Sequence, residues 1–164
     1  MIEVATLLRQ HHAELERFLG VMISISSDAA HRTALDAVAL GLEAHAAGES
    51  TALNLALDQL SPPPLVYLLA SQVTAAHFAQ HTALANLTAT RRGSAAWRDR
   101  ANHLRNLIIH HDEHEAACVI PALRDYLPRP HYDHLASCYA TARLHSLVAV
   151  KYDPSVDQRW LAVS

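Results

Sequence analysis

The amino-acid sequence predicts an all-α protein: an up-and-down four-helix bundle followed by an additional C-terminal helix. Chain-breaking residues fall at only a few places and separate long runs rich in alanine and leucine, which are strong helix formers. Within these runs, apolar residues recur at steps of three and four, the period of an amphipathic helix. The chain has only four glycines and lacks the turn-rich alternation typical of β-strands.

The first two predicted helices are separated by a polar turn at residues 26–28. In the first helix one apolar stripe passes through His11 and another through His12, and periodicity alone does not choose between them. Ser27 or Asp28 can cap the second helix. The second helix carries a nearly unbroken stripe of Leu35, Val38, Leu42, His45, Glu49, Ala52, Ala56 and Leu60.

The third and fourth predicted helices are bounded by prolines and by a glycine. Prolines at 62–64 end the second helix and can begin the third, since proline fits the first helical turn. In the third helix, His77 lies on the apolar stripe and His81 one turn later. Ser94 is the expected N-cap of the fourth helix. That helix carries the stripe Trp97, Ala101, Leu104, Ile108, His111, Glu115, Cys118 and Ala122.

A fifth helical segment is predicted from about residue 131 to residue 150, after the proline-containing break at 128–130. Its apolar edge consists of Leu135, Tyr139, Ala142 and Leu147. We therefore expect residues 1–127 to form a four-helix bundle. Residues 128–164 are expected to form a C-terminal helix and tail packed on the same domain. The tail from Tyr152 onward has no clear period and no predicted structure.

Composition excludes several classes of function. Charged residues make up 18% of the chain, below the roughly 25% of an ordinary soluble protein, although it has 13 histidines. A formal net charge of −3 gives no basic surface for nucleic acid or for an anionic membrane. No apolar stretch approaches the roughly 18 residues of a membrane span, and no secretory signal is evident. Cys118 and Cys138 lack metal-binding spacing, so we expect a cytoplasmic protein with free thiols.

Potential metal ligands lie inside the apolar stripes, near the middle of each predicted helix. Three pairs are separated by four residues, which places both side chains on one helix face, one turn apart. In a bundle, ligands at mid-helix arrive at one level whichever way each helix runs. The pairs are His45/Glu49, His77/His81 and His111/Glu115, and His11-His12 supplies one more histidine.

Buried carboxylates need a compensating charge, and this requirement suggests two metal ions. Glu49 and Glu115 share their stripes with no lysine or arginine, so divalent cations are the expected partners. Five imidazoles and two carboxylates without thiolate favour iron or manganese. Five histidines divide unequally between two ions, which leaves an open position for a small ligand such as dioxygen. The rival ferritin-like plan needs Glu-x-x-His, which the sequence lacks.

The order lone His, His-x-x-x-Glu, His-x-x-x-His, His-x-x-x-Glu resembles the haemerythrin-like, HHE cation-binding family. The resemblance covers residues from about 5 to 125 and includes the proline that ends HHDEHEAACVIP. Apolar residues at the family's spacing after the first histidine favour His12 over His11. The resemblance implies two iron ions with an oxo or hydroxo bridge. It assigns His77, His81 and His111 to one iron, His12 and His45 to the other, and Glu49 and Glu115 to positions bridging both.

The resemblance implies a non-haem di-iron protein that binds or senses dioxygen, peroxide or nitric oxide. Oxygen carriers of the family usually have aspartate five residues after the last histidine, whereas Glu115 follows His111 by four. This departure leaves open a di-iron enzyme with catalase-like or nitric-oxide-removing activity. A third hypothesis is an iron-dependent regulatory module that acts through the fifth helix, which could also pair two copies as a homodimer. The roles of His110, His114 and Glu16 stay open.

Overall fold

Every regular element of the described residues is helical. The computed structural model describes residues 2–25, 27–58 and 62–151, with side chains up to residue 149. The prediction of an all-α protein is confirmed. The elements are α1 (Val4–Ser24), α2 (Asp28–Asp58), α3 (Pro64–Thr88), α4 (Ala95–His114), a π-helical segment (Glu115–Val119), α5 (Ile120–Tyr126) and α6 (Arg129–Lys151).

Helix boundaries follow the local signals in the sequence. Helix α3 begins at Pro64, as the proline run predicts. The Ser94 hydroxyl accepts a hydrogen bond from the Trp97 backbone N–H at 3.1 Å, which confirms Ser94 as the N-cap of α4. Gly93 precedes this cap with a φ of 75°, a left-handed conformation that favours glycine. Predictions for Ser26, for Leu60 and for the tail from Tyr152 lie outside the described residues.

Helices α1 and α3 each contact both α2 and α4, so these four helices enclose a common interior. Two apolar clusters fill it. One joins the first halves of α1 and α3 to the end of α2, to α5 and to α6. The other joins the last halves of α1 and α3 to the first halves of α2 and α4. This alternation is compatible with the predicted up-and-down bundle. No helix among the described residues combines the length and apolarity needed to cross a membrane.

The segment after α4 widens into a π-helix, which changes the buried face of the chain. Pro121 has no N–H to donate to the Ala117 carbonyl. The N–H of Ile120 bonds to the carbonyl of Glu115, five residues earlier, where an α-helix would use the residue four earlier. The extra residue in this turn rotates the following residues about the helix axis. The predicted stripe is therefore wrong beyond residue 115. Cys118 is exposed and Ala122 half-buried, whereas Val119, Ile120 and Leu123 are buried.

Helix α6 packs along α2 and also touches α1. Of its predicted apolar edge, Leu135 and Tyr139 are buried, while Ala142 and Leu147 are half-buried. Gly48 on α2 permits the close approach, since a Cβ there would lie 2.9 Å from the Tyr139 carbonyl oxygen. The inner face of α6 is therefore used within the chain.

We expect Ser94→Ala to lower the free energy of unfolding by about 1 kcal/mol, because the Trp97 N–H loses its acceptor. Ser94→Asp retains an acceptor and should stay near wild-type stability. Urea denaturation monitored by circular dichroism measures both. Equal stability of the two variants would show that this cap contributes nothing.

Candidate metal centre

Six of the seven predicted ligands meet in a buried layer between the two apolar clusters. Helices α1, α2, α3 and α4 each supply a histidine, and α2 and the π-helical segment each supply a glutamate. The structure brings His12 to this layer rather than His11. All six side chains belong to buried residues: His12, His45, Glu49, His77, His111 and Glu115.

The six residues form two overlapping groups of four possible ligands. Within each group the donor atoms all lie within 4.8 Å of one another. His45 and His111 belong to both groups, so the two potential metal positions are adjacent. One group consists of His12, His45, His111 and Glu115, and the other of His45, Glu49, His77 and His111.

Glu49 lies where three of the helices converge. Its Oε2 is 3.0 Å from Nε2 of His77, 3.3 Å from Nε2 of His111 and 3.4 Å from Nε2 of His45. On the other side of the layer, the Nε2 atoms of His12 and His45 are 3.0 Å apart. Two nitrogens held at right angles on one ion at about 2.1 Å lie about 3 Å apart. The spacing therefore fits a shared cation.

Several buried donor atoms in the layer make no well-directed hydrogen bond, although some of them lie close to another donor. They are Nε2 of His77, Nδ1 of His111 and both carboxylate oxygens of Glu115. Leaving a buried polar atom unpaired costs roughly 1–3 kcal/mol, so a core with four such atoms is expensive unless something binds them. Imidazole nitrogens and carboxylate oxygens are ordinary ligands of transition metals. The residues present therefore fit a metal centre.

The two carboxylates have opposite protonation tendencies. Burial alone would raise the pKa of Glu49, but the neighbouring Glu115 carboxyl and the imidazoles of His111, His45 and His77 together lower it well below the usual range. Burial, followed by the negative charge of Glu49, raises the pKa of Glu115 well above the usual range. Without a cation, one proton is thus shared between the two carboxyl groups and resides mainly on Glu115.

Two residues outside the donor set form hydrogen bonds with the Nδ1 atoms of its histidines, whose Nε2 atoms face the layer. Asp112 accepts a hydrogen bond from Nδ1 of His12 at 3.0 Å, and this bond lowers the pKa of Asp112. The Tyr139 hydroxyl lies 3.0 Å from Nδ1 of His45 and 2.7 Å from Nδ1 of His11. Such partners fix the orientation of a metal-binding imidazole and tune its basicity. Sequence reasoning assigned neither residue, because Asp112 lies beside the stripe and the contact of Tyr139 depends on how α6 packs.

The structure does not bring His81 to the layer. Its side chain is 38% exposed, with Nε2 3.8 Å from Oε2 of Glu43. Gln80 is buried instead and donates to the Leu107 carbonyl. A step of four residues overshoots a full helical turn by about 40°, and the buried stripe of α3 follows the step of three from His77. His81 therefore lies at the edge of the interior.

The remaining unassigned residues make surface contacts. His110 is exposed and lies 3.4 Å from Glu113. Glu16 lies 3.6 Å from Arg105 across the α1–α4 surface. His114 is half-buried. None of them belongs to either group of potential ligands.

A cavity of about 160 Å³ reaches the layer between α1 and the π-helical segment. Glu115 and Asp112 line it, so the cavity reaches one potential ligand and the hydrogen-bond partner of another, His12. Its other walls include the small side chains of Ala5 and Ala116 and the charged Arg9. A molecule of two or three atoms has room to approach Glu115 by this route.

We expect His77→Ala to lose metal and His81→Ala to retain it. His77 lies among the converging donors, whereas His81 faces Glu43 at the edge. Elemental analysis of iron-loaded proteins after desalting measures the retained metal. Equal loss from both variants would contradict the placement of His81.

We expect His45 to make the metal-free protein less stable as the pH falls. Burial lowers its pKa from 6.5 to about 3, so between these values the unfolded chain binds a proton that the folded protein does not. Above pH 6.5 His45 does not reduce the free energy of unfolding. Between pH 6.5 and pH 3 this free energy falls by up to about 1.4 kcal/mol per pH unit.

Urea denaturation from pH 7 to pH 4 checks this dependence. His45→Gln should reduce the slope of unfolding free energy against pH, and His110→Gln, at an exposed position, should not. A wild-type slope in His45→Gln would contradict the assignment.

Comparison of this chain with protein-family models, with curated proteins and with solved structures gives no match. The chemistry and placement of the six buried donors therefore carry the functional inference. They show a buried histidine and glutamate cluster that can hold a metal ion.

Proposed function

We propose that this chain is a haemerythrin-like, non-haem di-iron protein that binds or senses a small oxidant: dioxygen, peroxide or nitric oxide. The observation that carries the proposal is the pair of overlapping donor groups, which share His45 and His111 and have one glutamate each. Two adjacent positions with mixed nitrogen and oxygen donors suit a pair of ions. The order of these donors along the chain is that of the resemblance described above.

The proposed fold is an up-and-down four-helix bundle, α1 to α4, with α6 added on its outside. Each end of the interior contains the start of two helices and the end of their neighbours, as alternating chain directions require. In such a bundle the middle of every helix lies at one level. His12, His45, His77 and His111 share that level.

Iron is the proposed metal because the donors are imidazoles and carboxylates. Neither cysteine belongs to the donor groups, and Cys118 is exposed. Glu49 and Glu115 would each supply a carboxylate to one of the two positions, beside the shared His45 and His111. With His81 at the edge, the six buried donors leave coordination positions open for a small ligand.

The protein's own residues would admit the ligand and hold the centre in a dry environment. An iron pair, when bound, supplies the electrons that an oxidant accepts. The buried side chains of Leu8 and Ile120 line the cavity beside Glu115 and limit the water near it. Asp112 and Tyr139 keep the imidazoles of His12 and His45 from turning away.

Metal analysis and optical spectroscopy test the proposal together. We expect two irons per chain and a charge-transfer absorption that appears when the reduced, anaerobic protein meets air, peroxide or nitric oxide. Iron-loaded protein that responds to none of these ligands would refute the proposal. Turnover of peroxide or nitric oxide faster than with free iron would instead support the enzymatic alternative.

Blocking the cavity should slow the spectral response without removing iron. Ala116→Leu places a larger side chain in the cavity wall, whereas the neighbouring exposed Ala117 does not line it. Stopped-flow mixing of reduced protein with dissolved oxygen should therefore show a rate at least tenfold lower for Ala116→Leu than for Ala117→Leu. Equal rates in both variants would show that ligands enter by another route.

A further inference from the structure

We propose that α6 is a working part of the metal centre, with Tyr139 as a positioning residue. Its hydroxyl sets which ring nitrogen of His45 carries the proton, through a hydrogen-bond chain that ends at His11. This inference rests on the proposed metal site and adds to it a residue that lies outside the region of family resemblance. It makes the fifth helix a determinant of metal binding, not only a cover.

The geometry of Tyr139 supports this role. The side chain is fully buried, and its hydroxyl touches Nδ1 of His45 at 3.0 Å and Nδ1 of His11 at 2.7 Å. The His11 ring also stacks on the Tyr139 ring, with a centroid distance of 5.4 Å. Gly48, one turn from His45 on α2, gives the room for this approach: a Cβ there would lie 3.0 Å from the tyrosine ring.

In the metal-free protein, Asp112 fixes the direction of the chain of hydrogen bonds. A carboxylate only accepts, so Nδ1 of His12 donates to Asp112 and, in a neutral ring, Nε2 of His12 must accept. The donor to that atom is Nε2 of His45 at 3.0 Å. Nδ1 of His45 then lacks a proton and accepts from Tyr139, whose oxygen in turn accepts from Nδ1 of His11.

Metal binding requires the hydrogen bonds among His45, Tyr139 and His11 to run in the opposite direction. When Nε2 of His45 is a ligand it carries no proton, so the neutral ring carries its proton on Nδ1. Nδ1 of His45 then donates to the Tyr139 oxygen, and the Tyr139 hydroxyl donates to Nδ1 of His11. The proton on Nε2 of His45 passes to water that accompanies the incoming cation, and Nε2 of His11 takes one proton from the solvent. Each of the three groups therefore carries one proton before and after, and none becomes charged.

The Tyr139 hydroxyl fits both the metal-free and the metal-bound arrangement, because a hydroxyl group can donate one hydrogen bond while it accepts another. Phenylalanine at this position would leave Nδ1 of His45 buried without a partner in either direction. His11 is only half-buried, so it can exchange its proton with solvent while His45 cannot. Tyr139 thus links a buried ligand to the surface without admitting water to the centre.

Tyr139→Phe tests the proposal, with Tyr132→Phe as the matched control. Tyr132 lies two turns earlier on α6 and is equally buried, and its hydroxyl hydrogen-bonds to none of the potential metal ligands. We expect Tyr139→Phe to weaken the affinity for zinc, a diamagnetic probe, by roughly 10- to 100-fold, the usual effect of losing a partner behind a ligating histidine. Tyr132→Phe should leave it within about twofold.

Nitrogen-15 spectra of the His45 ring give a readout that a merely structural role would not move. We expect the ring proton on Nε2 in the metal-free wild type and on Nδ1 in the zinc-loaded wild type. In zinc-loaded Tyr139→Phe, the Nδ1 proton should lose its hydrogen-bonded shift. Equal zinc affinities of the two phenylalanine variants, together with an unchanged Nδ1 signal, would overturn the role of Tyr139.

The glycine contact provides an independent test of α6 as part of the centre. Gly48→Ala places a methyl group against Tyr139, whereas Gly20→Ala, on α1, meets nothing within 4 Å. We expect weaker zinc binding in Gly48→Ala alone, and wild-type affinity in both variants would overturn the proposal. A wild-type protein that binds neither zinc nor iron would instead refute the proposed function itself.

Discussion

The burial of two carboxylates among four imidazoles is the constraint around which this protein is organised. Glu49 and Glu115 are both removed from water, yet they are close enough that only one ionises readily. The charge of two ionised carboxylates in this interior needs cations, since burying an unpaired charge is expensive. The helices and the two apolar clusters hold these groups in place, together with Asp112 and Tyr139.

The apolar clusters on either side turn this layer into a defined site. They pack α1, α2, α3 and α4 against one another, so that one histidine from each helix reaches the same layer. The π-helical segment then turns Val119 and Ile120 to the inner side after Glu115, while Pro121 interrupts the ordinary helical hydrogen bonding. The metal centre proposed for this layer would tolerate only small errors in ligand position.

Local periodicity predicted much of this arrangement. His12, His45, His77 and His111 share apolar stripes with the residues that fill the core, so the pattern that places the core also places these ligands. The same method failed where a small rotation matters. His81 lies about 40° around the helix from His77, at the edge of the buried stripe of α3. The extra residue near Pro121 places Val119 rather than Cys118 on the inner face.

The sequence by itself determined the helices, their boundaries and the set of residues able to bind metal, because each depends on neighbours within one or two turns. Only the tertiary structure decided which residues form hydrogen bonds with those potential ligands. Asp112 meets His12 across 100 positions of the chain, and Tyr139 meets His45 across 94. Contacts so distant in sequence depend on how α4 and α6 rotate and pack, and helical periodicity carries no record of that packing.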